Sequence, residues 1–329
     1  MSNPNPSVLI GDRRPDISGS MMQYDLEASR RGFIGTQVLP VMEVGVDSSQ
    51  YGIIPLEELL QNRETARAPG AVYSRGTGKF TKKNFATEEH GTEEAVDAKQ
   101  AKIYQNYLDA EVVAAKKCRD IVLRNQEKRC SDLLFNATTW TGAALTTGVT
   151  NEWDDYDNAT PIADVDAANR KVFENSGMYA NALVINRNVF MNLRHCAEIL
   201  DRIASSGAGS RTLPTDVTVQ MLAQVFDLDY VLVGGGAQNT ANEAQARDIS
   251  HIWSGEYASV CRIATESENI EEPCVGRTFH YSEDGSEIGT IIETYWNEDR
   301  RSNIVRARHD VDERIHYVEM AHLLSNITS

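Results

Sequence analysis

The chain has 329 residues, 41% apolar and 24% charged, and its 32 Lys and Arg against 48 Asp and Glu leave a formal charge of −16. At about 150 residues per domain, that length holds two domains or one elaborated one, with ample material for a core, and disorder is excluded for the chain as a whole. The cation deficit excludes a broad grip on duplex nucleic acid, which rests on Lys and Arg neutralising phosphates. It also makes self-association depend on salt and on good apolar contacts.

Residues 1–20 are rich in Pro, Gly, Ser and Asn and predict an extended arm that needs another surface to lie on. They contain no apolar run of signal-peptide length, and no window approaches the roughly 18 apolar residues of a membrane span, so a soluble, non-secreted chain is expected. Residues 22–31 predict a short helix stopping at Gly32, and 33–46 an extended apolar segment with Phe33, Ile34, Val38, Leu39, Val41 and Val44.

From 47 to 96 two strand-like runs, 51–55 and 79–85, flank a polar stretch holding Pro69-Gly70 and Gly76 to Gly78. That is the pattern of a long protruding β-hairpin with too little apolar content for a core of its own. Residues 97–136 carry apolar or small side chains at Tyr104, Leu108, Val112, Ala115, Cys118, Val122, Cys130, Leu133 and Leu134, in steps of three and four. With Asp97 as N-cap and no internal Gly or Pro, one spine helix of about 39 residues and about 58 Å is expected. Its polar stretch 124–129 is read as a solvated turn, with Asp120 and Glu127 pairing with nearby Arg and Lys.

A Thr, Ala and Gly-rich connector at 138–150 precedes a helix at 164–177, a buried strand at 182–185, a helix at 187–203, a flexible loop at 205–210, a helix at 215–226 and a buried strand at 230–233. This alternation is α/β. The last third is β-rich, with strand-length runs at 259–264, 276–281, 290–296 and 302–308 and a final strand within 314–324.

Chemistry-bearing motifs are scarce. Val231 to Gly236 reads Val-Leu-Val-Gly-Gly-Gly, a strand followed by three glycines, but it has neither Gly-x-Gly-x-x-Gly nor a P-loop and reads as a tight surface turn. The acidic pairs Glu57-Glu58, Glu88-Glu89, Glu93-Glu94, Asp154-Asp155 and Glu271-Glu272 sit in polar stretches and read as solvated surface. Cys118, Cys130, Cys196, Cys261 and Cys274 are widely spaced, as reduced thiols of an intracellular protein would be, and His195-Cys196 alone does not make a metal site. No catalytic residue, cofactor site or metal site is assigned, and no enzyme is expected. Arms and hairpins without a core gain stability by burial against other copies, so the residues themselves point to a self-assembling structural protein.

The ordered elements resemble the major capsid proteins of tailed bacteriophages, which share the Hong Kong 97 type fold and are similar to encapsulin shell proteins. The resemblance spans about residues 30–320. It rests on the segment Phe33 to Val41, the helix ending Leu133-Leu134-Phe135-Asn136, and the connector Asn151 to Tyr156 with Pro161 to Asp164. It rests also on the runs Leu183 to Asn186, Asn239 to Asn242 and Ile252 to Gly255.

The resemblance implies an α+β capsid fold divided into an N-terminal arm (1–46), an E-loop hairpin (47–96), a P domain with its spine helix (97–160), an A domain (161–258), P-domain return strands (259–310) and a C-terminal return segment (311–329). It implies a shell subunit, assembled in the bacterial host cytoplasm and found in the virion, that forms pentamers and hexamers around double-stranded DNA without binding it specifically. Partners would be other copies, with a portal, a decoration protein and a separate scaffolding protein as further candidates, since the arm beginning at Met1 is short. An encapsulin-like compartment and a nucleotide-dependent α/β enzyme built around Gly234 to Gly236 are the alternatives. Arg63, Arg67, Arg75, Lys79, Lys82 and Lys83 of the hairpin are expected to face acidic surfaces of a neighbouring subunit, and 205–211 to lie near a symmetry axis. Some members of that family cross-link through a hairpin Lys. No matching Asn or carboxylate is identified here, so no cross-link is assigned.

Overall fold

The computed structural model describes residues 32–329 except 64, 77, 105–108, 206–212, 243–244, 267–268, 270, 284 and 286. The expected arm, the helix at 22–31 and all but the first residue of the 205–211 loop lie outside the described residues. In chain order the first half forms α1 (Gly35–Val38), β1 (Val41–Val44), β2 (Ser48–Ile53), α2 (Leu56–Leu59), β3 (Thr81–Ala86), β4 (Glu88–Asp97), α3 (Ala98–Tyr104), α4 (Ala110–Leu134) and β5 (Thr146–Gly148). Next come α5 (Pro161–Ser176), β6 (Ala182–Asn186), α6 (Arg187–Leu193), α7 (Ala197–Ser205), α8 (Val219–Val225), β7 (Tyr230–Gly234), β8 (Ala237–Asn239) and β9 (Ile249–His251). The chain ends with β10 (Tyr257–Cys261), β11 (Gly276–Tyr281), β12 (Ile291–Asn297), β13 (Ser302–Ile315) and β14 (Ala321–Ser325).

Two five-stranded sheets organise these elements. In the first, the 14-residue strand β13 is the shared member. It pairs antiparallel with β4 from Ser302↔Asp97 to Val311↔Glu88, with β12 from Ser302↔Asn297 to Arg308↔Ile291, and with β11 from Val311↔His280 to Ile315↔Gly276. Strand β1 joins parallel to β11. The spine helix α4 packs on this sheet through small residues, Ala114, Cys118 and Val122 meeting Val96, Val305 and Ala307. Small side chains let the two backbones approach closely along a flat seam.

The second sheet runs β5-β14-β10-β6-β7, with β6 and β7 parallel and β10 antiparallel to both β6 and β14. Every residue of β6 is buried. Leu183 and Ile185 join the core under α5 to α8, while Ala182 and Val184 join a second core with Leu134, Trp140 and Trp253. Successive strand side chains point to opposite faces, so a continuous apolar run is what a sheet covered on both sides requires. Helix α5 starts with Pro161 in its first turn, where the missing N–H costs nothing, and stops at Gly177, whose φ of +74° only glycine adopts freely.

Several expectations are corrected. The spine is not one helix: Asp97 ends β4, and its carboxylate takes the Lys99 N–H at the start of the short α3, while α4 begins only after Asp109, which accepts from the N–H groups of Glu111 and Val112. Helix α4 is therefore 25 residues, about 37 Å at 1.5 Å per residue. Val112, expected on the buried stripe, is 48% exposed. The 124–129 stretch is not a solvated turn, because Gln126 and Glu127 are buried with Cys130, Ser131 and Leu134 on one stripe of α4. The 187–203 helix is broken at 194–196 into α6 and α7, and 33–46 contains the helical turn α1 before β1. The three glycines are no surface turn: Gly234 and Gly236 are buried.

Candidate assembly surface

The hairpin forms by six antiparallel pairs, from Ser48↔Ala86 to Ile53↔Thr81, and its base is fastened to its own subunit. Phe85 stacks on Phe279 with ring centroids 4.5 Å apart, and Tyr51 lies 5.5 Å from Phe279 and 5.2 Å from the His316 ring. Such pairs contribute about 0.5 to 1.5 kcal/mol each beyond the area they bury. Burial raises the Tyr51 phenol to about 12. The backbone adds two anchors: Ala86 N–H donates to Asp312 Oδ2 at 3.0 Å, and Tyr317 O–H donates to the Ile54 carbonyl at 3.2 Å.

Beyond the base, 54–80 holds no strand among the described residues, only the single turn α2. Leu56 is buried, but further along three large apolar side chains stay in water: Val72 is 83% exposed, Phe80 73% and Tyr73 68%. Apolar side chains this exposed on a segment with no core beneath it mark a surface that becomes favourable when a second body covers it.

The six hairpin cations separate into three groups. Arg75, Lys79 and Lys82 are exposed and make no ion pair among the described residues. Arg63 reaches Gln61 Oε1 at 3.3 Å and Glu58 at 3.9 Å, and Arg67 lies 4.6 Å over the Tyr73 ring, so both are held within their own loop. Lys83 turns inward, its ammonium donating to the carbonyls of Ile315 and His316, and burial lowers its pKa against the opposing pull of Glu319. The structure thus brings Lys83 to its own subunit and leaves Arg75, Lys79 and Lys82 outward.

The outer face of the first sheet carries a charge ladder, Glu93–Arg306–Glu293, set by register because Arg306 lies directly opposite both carboxylates. At the β12 edge, Ile292, Tyr295 and Trp296 are 44%, 41% and 49% exposed. Tyr295 shares the face of that ladder while Ile292 and Trp296 alternate to the other, so charge and aromatic area flank the β12 edge, a mixture that suits a contact surface better than a solvated one.

Inside the subunit, two features escaped sequence reasoning. Arg129 forms a bidentate pair with the buried Glu313, both bonds 2.9 Å, tying α4 to β13 across 184 residues of chain. Glu127 accepts from the N–H groups of Ile34 and Gly35 at 2.7 Å each and from Trp253 Nε1 at 2.6 Å. Burial raises its carboxyl pKa, and those three donors pull the other way. Glu127 was legible in one respect: it sits three residues before Cys130 and seven before Leu134, on the stripe that the helix buries.

The glycine triplet serves the same junction. Gly235 N–H donates to the Gly32 carbonyl at 2.9 Å, and a Cβ on Gly32 would lie 2.6 Å from the Gly235 carbonyl carbon. Two backbones cross there with no room for a side chain on Gly32. The closeness these glycines allow goes to the chain's own atoms, the Gly32 backbone at Gly235 and the side chains of Trp253, Ile252 and Phe33 at Gly234 and Gly236, which removes the basis for a nucleotide site there.

No protein-family model matches the chain. No curated protein matches it either. Solved structures do. A phage-related protein from Bordetella bronchiseptica is similar over 95% of this chain and 97% of its own, with a TM-score of 0.64 at 17% identity. The capsid of cyanophage P-SCSP1u is similar over 88% and 86%, with a TM-score of 0.55 at 7% identity. An encapsulin from Synechococcus elongatus is similar over 89% and 86%, with a TM-score of 0.53 at 8% identity. Identities this low with coverage this wide mean that the path of the backbone is shared while the side chains are not. The chain has the Hong Kong 97 type fold of phage capsid and encapsulin shell proteins.

Proposed function

We propose that this chain is the major capsid protein of a tailed bacteriophage, assembling as pentamers and hexamers into an icosahedral shell around double-stranded DNA. The observation that carries the reading is the hairpin: fastened at its base by Tyr51, Phe85, Phe279 and His316, it exposes Val72, Tyr73 and Phe80 with Arg75, Lys79 and Lys82 beside them. A second copy would supply the covering surface and the opposite charge. The shell-protein fold supports the same reading.

In this reading 1–46 is the arm, 47–96 the E-loop, 97–160 the P domain, 161–258 the A domain, 259–310 the return strands and 311–329 the final segment. The subunit assembles in the host cytoplasm and remains in the virion, with scaffolding, portal and decoration proteins as candidate partners. The −16 charge supports a wall to which packaged DNA does not adhere. An encapsulin-like compartment is the second reading, favoured by the encapsulin of similar backbone path.

Expression of the full chain followed by electron microscopy and analysis of particle contents tests both. Closed icosahedral particles that need a terminase and portal to fill with DNA support the capsid. Particles that enclose a co-expressed enzyme from the neighbouring genes support the compartment. A compact monomer at every salt and concentration refutes both.

A further inference from the structure

Glu127 lies in the second half of the longest described helix with 3% exposure, and a shell subunit held together only by packing would place a Leu or Met there. Its three recorded partners are neutral N–H donors from two distant parts of the chain, the entry turn at Ile34 and Gly35 and the indole of Trp253. Each carboxylate oxygen is occupied: Oε1 takes Ile34 and Trp253, Oε2 takes Gly35.

Three independent observations show that the surroundings are shaped to this carboxylate. A Cβ on Gly35 would sit 2.7 Å from Glu127 Oε2 and 3.0 Å from Cys130 Sγ, so only glycine leaves space for the contact. Ser131 Oγ, one turn further along α4, donates to the Ile252 carbonyl at 3.1 Å and holds the same loop that carries Trp253. On the other side the Gly32–Gly235 crossing pins the chain three residues before Gly35. The entering backbone is therefore gripped twice within four residues, once by α4 and once by the end of β7.

We infer that Glu127 is a latch: it fixes the path of the entry turn at residues 32–35 against α4 and the loop of Trp253, and so holds the subunit in the form that assembles with a second copy of the chain. The inference rests on the shell reading for the link to assembly, and not for the latch itself. Anionic oxygen is what the geometry needs, because it accepts from three donors at once, whereas a neutral amide of the same shape turns one position into an N–H facing an N–H.

The test uses the full-length subunit and Glu127→Gln, read by hydrogen exchange of the segment 32–40 and by particle yield in electron microscopy. The expected result is exchange at 32–40 faster by about tenfold or more, with little change in the β4–β13 pairing, and a fall in closed particles. Gly35→Ala approaches from the other side, pushing Oε2 away from the backbone without altering the carboxylate, and serves if the buried Gln prevents folding. It should give the same pattern. Unchanged exchange in both variants overturns the latch. Faster exchange with full particle yield overturns its link to assembly. If the unaltered chain forms no particles, the shell reading fails and the exchange result alone decides the latch.

Discussion

Acidification should destabilise the subunit, and His309 and His316 should set the window. Both lie in or just after β13. Burial lowers each pKa to about 4, with Arg129, His90 and His280 adding repulsion around His309, and Arg277 and Lys83 around His316. The Ile288 carbonyl near His309 Nδ1 opposes this for His309 without reversing it. An unfolded chain protonates a His near pH 6.5. Above that pH both states hold neutral imidazoles and the full stability is present; as pH falls toward 4, the unfolded chain binds protons that the folded one refuses.

The limiting loss is about 3.4 kcal/mol per His, from 2.5 pH units at 1.36 kcal/mol each, and at pH 5 it is about 2 kcal/mol per His. For a chain of this length each 2 kcal/mol lowers Tm by about 3 °C. Thermal melts of the unassembled subunit between pH 8 and pH 5, compared with a His309→Gln, His316→Gln double variant, should show the variant losing about 6 °C less than the parent. Comparison with the variant is needed because Glu127, whose pKa burial raises, contributes a slope of opposite sign. Equal slopes for parent and double variant would refute the reasoning.

Deleting 57–78 should leave both sheets folded, since the hairpin base at Tyr51 and Phe85 remains. Closed particles should disappear in electron micrographs, and normal particles would sink the assignment of the hairpin. Gly32→Ala should destabilise by about 2 kcal/mol or more, because its Cβ meets backbone at 2.6 Å, whereas Gly235→Ala, whose nearest atom is the Gly32 Cα at 3.4 Å, should stay within about 1 kcal/mol in urea titrations. Lys79→Glu with Lys82→Glu should reduce particle yield at low salt and leave the monomer melt unchanged. Light scattering across a salt series checks this, and assembly of the parent chain that ignores salt would contradict it.

Strands β6, β7, β11 and β12 and helix α5 were legible because their signals are local. A run of apolar β-branched residues and an amphipathic stripe act within a few residues, although α5 was started three residues late, at 164, and carried through Gly177, which the structure places just past its end. The hairpin was legible for the same reason, two strand runs around a Gly and Pro-rich stretch. The spine helix was found in the right place but drawn too long, since Asp97 and Asp109 each cap the start of a helix and periodicity alone cannot say that a second start lies within the run. Of the six hairpin cations, sequence could place all in one loop but could not tell that Lys83 turns to the carbonyls of residues 315 and 316, more than 230 positions away.

Composition and pattern by themselves pointed to a chain that folds around a sizeable core, to a cation deficit that disfavours broad contact with duplex DNA, and to a hairpin with too little apolar content for a core of its own. Tertiary structure decided where the buried charge goes. Glu127 reads as solvated in sequence because carboxylates usually are, and it is buried because donors 93 and 126 residues away meet it there. The same holds for the glycine triplet, whose use depends on Gly32 arriving across it. Desolvation and close approach are properties of the surroundings, and for these residues the surroundings come from distant parts of the chain that only the fold brings together.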